Sequence, residues 1–256
     1  MNTLPQEQTI DINDMRMYYQ LQGQGEPLLL LHGFLGSSKD WTLFTPNLEK
    51  TYRLIIPDLR GHGRSTNPSQ AFTFRQAALD LFALLDHLGI EHCKAIGISG
   101  GGITLLHMAT QQPERVEAMA LVSATSYFPE QARKLMGSYT IESRTEQEWQ
   151  FMRQSHPGGD EQIEALWRYG QGFKDSYDDV NFTPPYLSTI TARTLIVYGD
   201  RDPLYPVQIA VDMYHAIPQA YLWILPNAGH SPVFTSQRTA FLQTVLSFLS
   251  GEWKQI

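Results

Sequence analysis

Six short aliphatic runs, at residues 28–31, 54–57, 94–98, 118–122, 194–198 and 221–225, are each bounded by turn residues and separated by enough chain for a helix. Runs as uniformly apolar as these read as strands covered on both faces, the arrangement of a parallel sheet. Patterns of helical period lie between them. The clearest spans 74–88, where Ala77, Leu81, Leu84, Leu85 and Leu88 recur at three and four and Thr73 with Gln76 forms a capping box. Further helices fit 103–112, 207–217 and 236–249, so strand and helix alternate as a doubly wound, mostly parallel α/β sheet requires. Residues 9–20 alternate like an antiparallel hairpin, a common edge to such sheets.

From about residue 126 to 188 the alternation stops and a helical, aromatic-rich stretch intervenes. The expected organisation is therefore a core of residues 1–125 and 189–256 with a helical cap, 126–188, inserted into it; a chain of 256 residues accommodates both. The cap carries eleven of the chain's 29 aromatic residues, more than its share. Tyr127, Phe128, Trp149 and Trp167 are candidates to line a cleft, the competing use being a small core of the cap's own. Leu35, Leu204 and Val233, beside the loops discussed next, complete the expected pocket.

The net charge of −7 gives no basic footprint of the kind nucleic acids or anionic membranes require. A single cysteine, Cys93, excludes an intrachain disulfide and reads as a small buried residue in the run 92–98. The first fifteen residues are polar and acidic, unlike a secretory signal, and the longest aliphatic run, 28–31, is far short of the roughly 20 residues that span a bilayer. The expectation is a soluble, cytoplasmic protein with no nucleic-acid or membrane partner.

Gly97-Ile98-Ser99-Gly100-Gly101 stands where a predicted strand meets a predicted helix. A serine hydroxyl is a weak nucleophile and must stand clear of its neighbours to reach both a base and a carbonyl; a sharp strand-to-helix turn flanked by small residues allows that. Alone the pattern arises by chance in roughly one chain of this length in ten. Gly100, Gly101 and Gly102 strengthen it, because each opens a helix at a cost of up to about 1 kcal/mol relative to alanine and no packing argument recommends them. The following helix also directs N-terminal amides at the site.

His230 lies on a loop directly after a predicted strand, at the strand end where open α/β sheets bind ligands, and is the candidate general base. The other histidines fit less well. His87, His107 and His215 sit in helical patterns, His92 begins a strand, His32 and His62 lie in glycine-flanked loops, and His156 lies in the cap. No H-E-x-x-H or paired Cys/His spacing suggests a metal, and no cofactor is expected. Tyr198-Gly199-Asp200-Arg201-Asp202-Pro203 ends another strand and supplies two carboxylates that could orient the imidazole; chemistry alone does not separate Asp200 from Asp202. Leu31-His32-Gly33-Phe34-Leu35-Gly36 leaves the first buried strand, and its Phe34 N–H, with that of Gly100, can form an oxyanion hole.

In that chain order these pieces resemble the α/β-hydrolase family across essentially the whole sequence. The resemblance implies that the fourth position of G-x-x-D, here Asp202, is the triad acid with Ser99 and His230. It also implies that Asp58, Arg60 and His62, in the segment from Pro57 to Ser65, are structural. The alternative acid position after the strand ending near Ser123 offers no carboxylate. Serine at 99 argues against haloalkane dehalogenases and epoxide hydrolases, and Ser231 stands where carbon–carbon bond hydrolases often carry tryptophan. The stretch from Gly97 to Leu105 is similar to the valacyclovir-hydrolase group, in which an acidic residue after the nucleophile helps bind an ammonium group; here Gly100 takes that place. The expected activity is hydrolysis of small to medium esters, with water as second substrate. A lactonase or carbon–carbon hydrolase with the same triad, or a receptor on the same scaffold, are the alternatives.

Overall fold

The computed structural model describes residues 5–253; residues 1–4 and 254–256, which the expected core segments and the N-terminal reading include, lie outside the described residues. The described residues build an eight-stranded sheet. Its strands are β1 (Gln6–Ile12), β2 (Met15–Gln22), β3 (Glu26–Leu31), β4 (Tyr52–Pro57), β5 (Cys93–Ile98), β6 (Val116–Val122), β7 (Arg193–Gly199) and β8 (Ala220–Leu225). They lie in the order β1-β2-β4-β3-β5-β6-β7-β8. β1 and β2 form the hairpin and β2 pairs antiparallel with β4, whereas every other pairing is parallel.

Five of the six apolar runs have the reason inferred for them, since both faces of the sheet are covered there; at the edge strand β8, Tyr221, Leu222, Trp223 and Ile224 are only partly buried. Leu29, Leu31, Ala95, Met119, Leu121, Ile196 and Tyr198 face one core, which includes residues of helices Phe74–His87, Gly100–Gln111 and Val207–Ala216. Their neighbours Leu28, Leu30, Ile96, Ile98, Ala120, Val122, Leu195 and Val197 face the other, with Trp41, Phe44 and residues of Thr45–Leu48 and Arg238–Leu249. In chain order the core helices Thr45–Leu48, Phe74–His87 and Gly100–Gln111 are α1, α2 and α3, and the last two, Val207–Ala216 and Arg238–Leu249, are α8 and α9. Cys93 opens β5 rather than His92, and burial pushes its thiol up to about 12. No helix among the described residues is long and apolar enough to cross a membrane.

Between β6 and β7 the chain inserts α4 (Glu130–Ser138), α5 (Glu146–Ser155), α6 (Asp160–Gly172) and α7 (Pro184–Leu187). Met152, Ile163, Leu166 and Trp167 form a separate apolar cluster within this insertion, and Phe34 and Leu35 of the core pack against it. The Asp179 carboxylate, on the returning chain, accepts the N–H groups of Phe74 and Arg75 at 2.8 and 3.1 Å, satisfying amides in the first turn of α2.

Strand order fixes where a site can form. β4 lies on one side of β3 and β5 on the other, so the connections leave β3 and β5 in opposite directions and open a crevice between their C-terminal ends. The loops after β3 and β5 begin with His32 and Ser99.

Candidate active site

Ser99 occupies the turn between β5 and α3 with φ +49° and ψ −112°, a backbone region that non-glycine residues enter only when the surroundings enforce it. The enforcement is visible in its hydrogen bonds: Ser99 N–H donates to Val122 at 2.7 Å, and the Ser99 carbonyl accepts from Ile103 N–H at 3.0 Å. The expectation that no packing argument explains the glycines after it is corrected here. A Cβ on Gly101 would lie 2.5 Å from the Leu31 carbonyl oxygen and one on Gly102 2.6 Å from Ala124 Cβ. These glycines let α3 approach β3 and the chain beyond β6.

His230 follows β8. Its Nε2 lies 2.9 Å from Ser99 Oγ and its Nδ1 2.7 Å from Asp202 Oδ2. An ionised carboxylate can only accept, so Nδ1 carries the proton and Nε2 is free to accept from the serine hydroxyl. The other Asp202 oxygen accepts from Leu204 N–H at 2.8 Å and Tyr205 N–H at 3.1 Å, which compensates the charge of a side chain that is fully buried. His230 keeps 22% of its side chain exposed, enough for access from solvent. Asp200 turns elsewhere: its carboxylate accepts Ala228 N–H at 3.2 Å and tethers the loop that carries His230.

The Gly33–Phe34 peptide is held by its oxygen. Gly33 O accepts from His32 Nδ1 at 2.7 Å and from Gly36 N–H at 3.0 Å, which points the trans-related N–H of Phe34 the opposite way. A Cβ on Gly100 would lie 2.9 Å from the Phe34 nitrogen, so residue 100 and the Phe34 amide stand side by side. Two preorganised amides beside a serine hydroxyl suit the charge that develops in acyl transfer.

Tyr205, which is not among the expected site residues, packs edge-on against His230 with ring centroids 5.4 Å apart, and its hydroxyl lies near Ser99. Burial first, and then the Asp202 carboxylate, push this phenol well above its ordinary range, so it remains protonated. The cue in the sequence is an aromatic residue three positions after the carboxylate. Ser123 stands at the alternative acid position without being an acid. Its hydroxyl accepts Ser231 N–H at 3.1 Å, steadying the residue after His230, and both serines have positive φ, 49° and 55°.

The expected pocket residues fall in different surroundings. Trp167 is buried inside the insertion, where its ring meets that of Trp149 edge-on at 4.5 Å, because the insertion needs an apolar centre of its own. Tyr127 lies on a separate cleft of about 460 Å³ with Phe182, Pro184 and Leu187. Val233 is buried on the opposite face of the sheet. Phe128 stacks on Phe173 at 5.6 Å, and Leu204 packs on the same core; Leu35 lies against the insertion's cluster. The aromatic wall beside Gly100 comes from Phe34, Phe74 and Phe173, with Phe34 and Phe74 lying 4.7 and 5.1 Å from Phe173, and Phe128 joins it through Phe173 and Phe74.

The sequence profile of the alpha/beta hydrolase fold matches residues 26–158. The serine hydrolase BPHL of Mus musculus is 29% identical over 242 residues, covering 87% of this chain and 79% of the relative. The 2-hydroxymuconate semialdehyde hydrolase of Pseudomonas sp. (strain CF600) is 27% identical over 237 residues, with 81% of each chain covered. Among solved structures, the meta-cleavage product hydrolase of Pseudomonas fluorescens IP01 aligns with a TM-score of 0.79 at 22% identity, over 96% of this chain and 98% of the other.

Proposed function

Because this chain belongs to the α/β-hydrolase family, we propose that it is a serine hydrolase that cleaves small to medium carboxylic esters, with Ser99 as nucleophile, His230 as general base and Asp202 as the acid that orients it. The observation that carries this reading is the continuous bond path from Asp202 Oδ2 through His230 to Ser99 Oγ, 2.7 and 2.9 Å long in its two steps. Ser99 Oγ attacks the ester carbonyl as His230 Nε2 takes its proton, and Asp202 stabilises the imidazolium. The Phe34 and Gly100 amides hold the oxyanion. Collapse breaks the bond to the alcohol, which leaves with the proton from His230. Water, deprotonated by His230, then attacks the acyl-enzyme, and the acid departs as Ser99 recovers its proton. The insertion serves as a cap over this site, an assignment supported by the packing of Phe34 and Leu35 against its cluster.

A carbon–carbon bond hydrolase with the same triad is a second reading, favoured by the likeness to the 2-hydroxymuconate semialdehyde hydrolase. Serine at 231, next to His230, weighs against it. An alkyl fluorophosphonate tests the assignment: it should label Ser99 covalently, since only an activated serine attacks phosphorus quickly. Ser99→Ala should lower turnover of a butyrate ester by roughly 10⁵–10⁶-fold. Labelling at another residue, or full activity in Ser99→Ala, overturns the assignment; turnover of a carbon–carbon substrate but no ester selects the second reading.

A further inference from the structure

One buried side chain of the insertion reaches the loop that carries the Phe34 amide. His156 follows α5 and is 0% exposed. Its Nδ1 lies 2.8 Å from Gly63 N and its Nε2 3.0 Å from Leu35 O. An amide N–H can only donate and a carbonyl can only accept, so Nδ1 must be bare and Nε2 must carry the proton. The bonds fix one neutral tautomer.

Leu35 adopts φ +68°, a left-handed conformation that a branched side chain holds only under constraint. Its carbonyl is the atom His156 grips. On the other side of Phe34, the Gly33 carbonyl is gripped by His32. The segment bearing the Phe34 N–H is thus pinned at both ends, by a core histidine before it and an insertion histidine after it. The same seam carries a bond from the Lys39 ammonium to the Gln154 carbonyl, and the Gln162 amide donates to the carbonyls of Gly61 and Gly63 at 2.9 Å each.

We infer that His156 is a positioning residue that holds the Leu35 peptide and so aims the Phe34 N–H, making docking of the insertion and completion of the oxyanion hole one event. The catalytic half of this inference rests on the ester-hydrolase reading above. The charged and titratable groups facing His156 are His62, whose ring is 6.1 Å away, and His32, Asp58 and Lys39. Burial is the largest influence on it and pushes His156 down to about 4. It is neutral at pH 7. Protonation would place a second N–H at Nδ1, opposite the N–H of Gly63, and break the seam.

Two variants separate positioning from bulk. His156→Leu keeps volume and loses both bonds, whereas the His156→Gln amide can accept from Gly63 and donate to Leu35. On a butyrate ester, His156→Leu should lose about 10²-fold in kcat with KM within about threefold, as expected for a misplaced oxyanion donor, and His156→Gln should recover to within about tenfold of the parent. Amide exchange of residues 33–36 at pH 7 should quicken by about tenfold in His156→Leu and return in His156→Gln. In the unaltered protein the same amides, corrected for intrinsic rates, should lose protection as pH falls toward 4. A kcat for His156→Leu within threefold of the parent, a loss carried by KM alone, or exchange that ignores both substitution and pH overturns the inference. Exchange requires no turnover, so an unaltered protein that hydrolyses no ester defeats the proposed function while His156 is still judged.

Discussion

Asp200 and Asp202 are two residues apart, both at the C-terminal end of β7, and their environments divide the work between them. Asp202 is buried, accepts two backbone amides on one oxygen and His230 on the other; Asp200 is partly exposed, near Arg201 at 3.8 Å, and accepts from Ala228. Asp202→Asn therefore removes the charge that fixes the His230 tautomer, and turnover should fall roughly 10⁴-fold with the fold intact. Asp200→Asn keeps an oxygen for Ala228 and should cost less than about tenfold. The measurement is kcat for each variant at pH 7.5 alongside a melting curve; a reversed order would make Asp200 the triad acid. That Ser99, His230 and one of the two carboxylates meet was legible in the sequence because a hydroxyl, an imidazole and a carboxylate at such strand ends stand out among few residue types. Tyr205, Ser123 and His156 were not, since each acts by contact with a partner far along the chain, and a hydroxyl or imidazole carries no mark of which partner it meets.

The parallel strands were legible nearly to the residue because a strand packed within the sheet leaves an uninterrupted apolar run, and their observed bounds extend the expected ones by one or two positions; β1 of the hairpin begins three residues early. Helix starts were harder. α3 begins at Gly100 and not at 103, because the turn at Ser99 sets its first residues and side-chain propensity has no say there. α9 begins at Arg238, two residues after the expected start, since a short 3₁₀ turn over Pro232–Phe234 precedes it. At α2 only half of the expected capping box forms. Thr73 accepts Gln76 N–H at 3.1 Å, but the Gln76 amide turns to Asp80 while Asp179 takes two neighbouring amides. A complete box forms at α5, where Thr145 and Glu148 exchange bonds, a T-x-x-E pattern that was open to reading. The end of β7 shows what a close approach of elements demands. A Cβ on Gly199 would lie 2.2 Å from the Ala228 carbonyl oxygen and 2.4 Å from that of Gly229, backbone atoms with nowhere to go without moving the His230 loop. Gly199→Ala should lower Tm by at least about 4 °C and displace His230, reducing kcat. Gly229→Ala meets nothing within 4 Å and serves as the control, expected within about 0.5 kcal/mol of the parent. Equal melting curves for the two variants would show that this crossing is not tight.

At the scale of the whole molecule, aromatic content does not by itself say where a pocket lies, because a ring that fills an insertion's centre and a ring that lines a cleft look alike in sequence. Charge is more informative, since its placement decides what can enter beside Ser99. On the insertion, Glu130 pairs with Lys134 at 2.7 Å, Asp160 with Arg153 at 2.8 Å, Glu148 with Arg144 at 3.0 Å and Glu164 with Arg168 at 3.3 Å. Glu142 is exposed. Beside Gly100 the nearest atoms belong to Phe34 and Phe74, and the Asp202 carboxylate is already bound to His230 and two amides. An acidic side chain at position 100 would also require its neighbours to shift, because a Cβ there lies 2.9 Å from the Phe34 nitrogen. An ammonium group entering this site would lose water without gaining a paired carboxylate, at a cost of several kcal/mol, whereas an apolar acyl chain gains about 25 cal/mol for each Å² it buries. Since 1.4 kcal/mol is a factor of ten, the kcat/KM for a butyrate ester should exceed that for an α-amino ester of the same alcohol by at least about tenfold. Measuring both at pH 7, where the amine is protonated, decides the matter. A tenfold preference for the amino ester would mean that a carboxylate reaches the pocket when substrate binds, and the apolar reading of the site would fall with it.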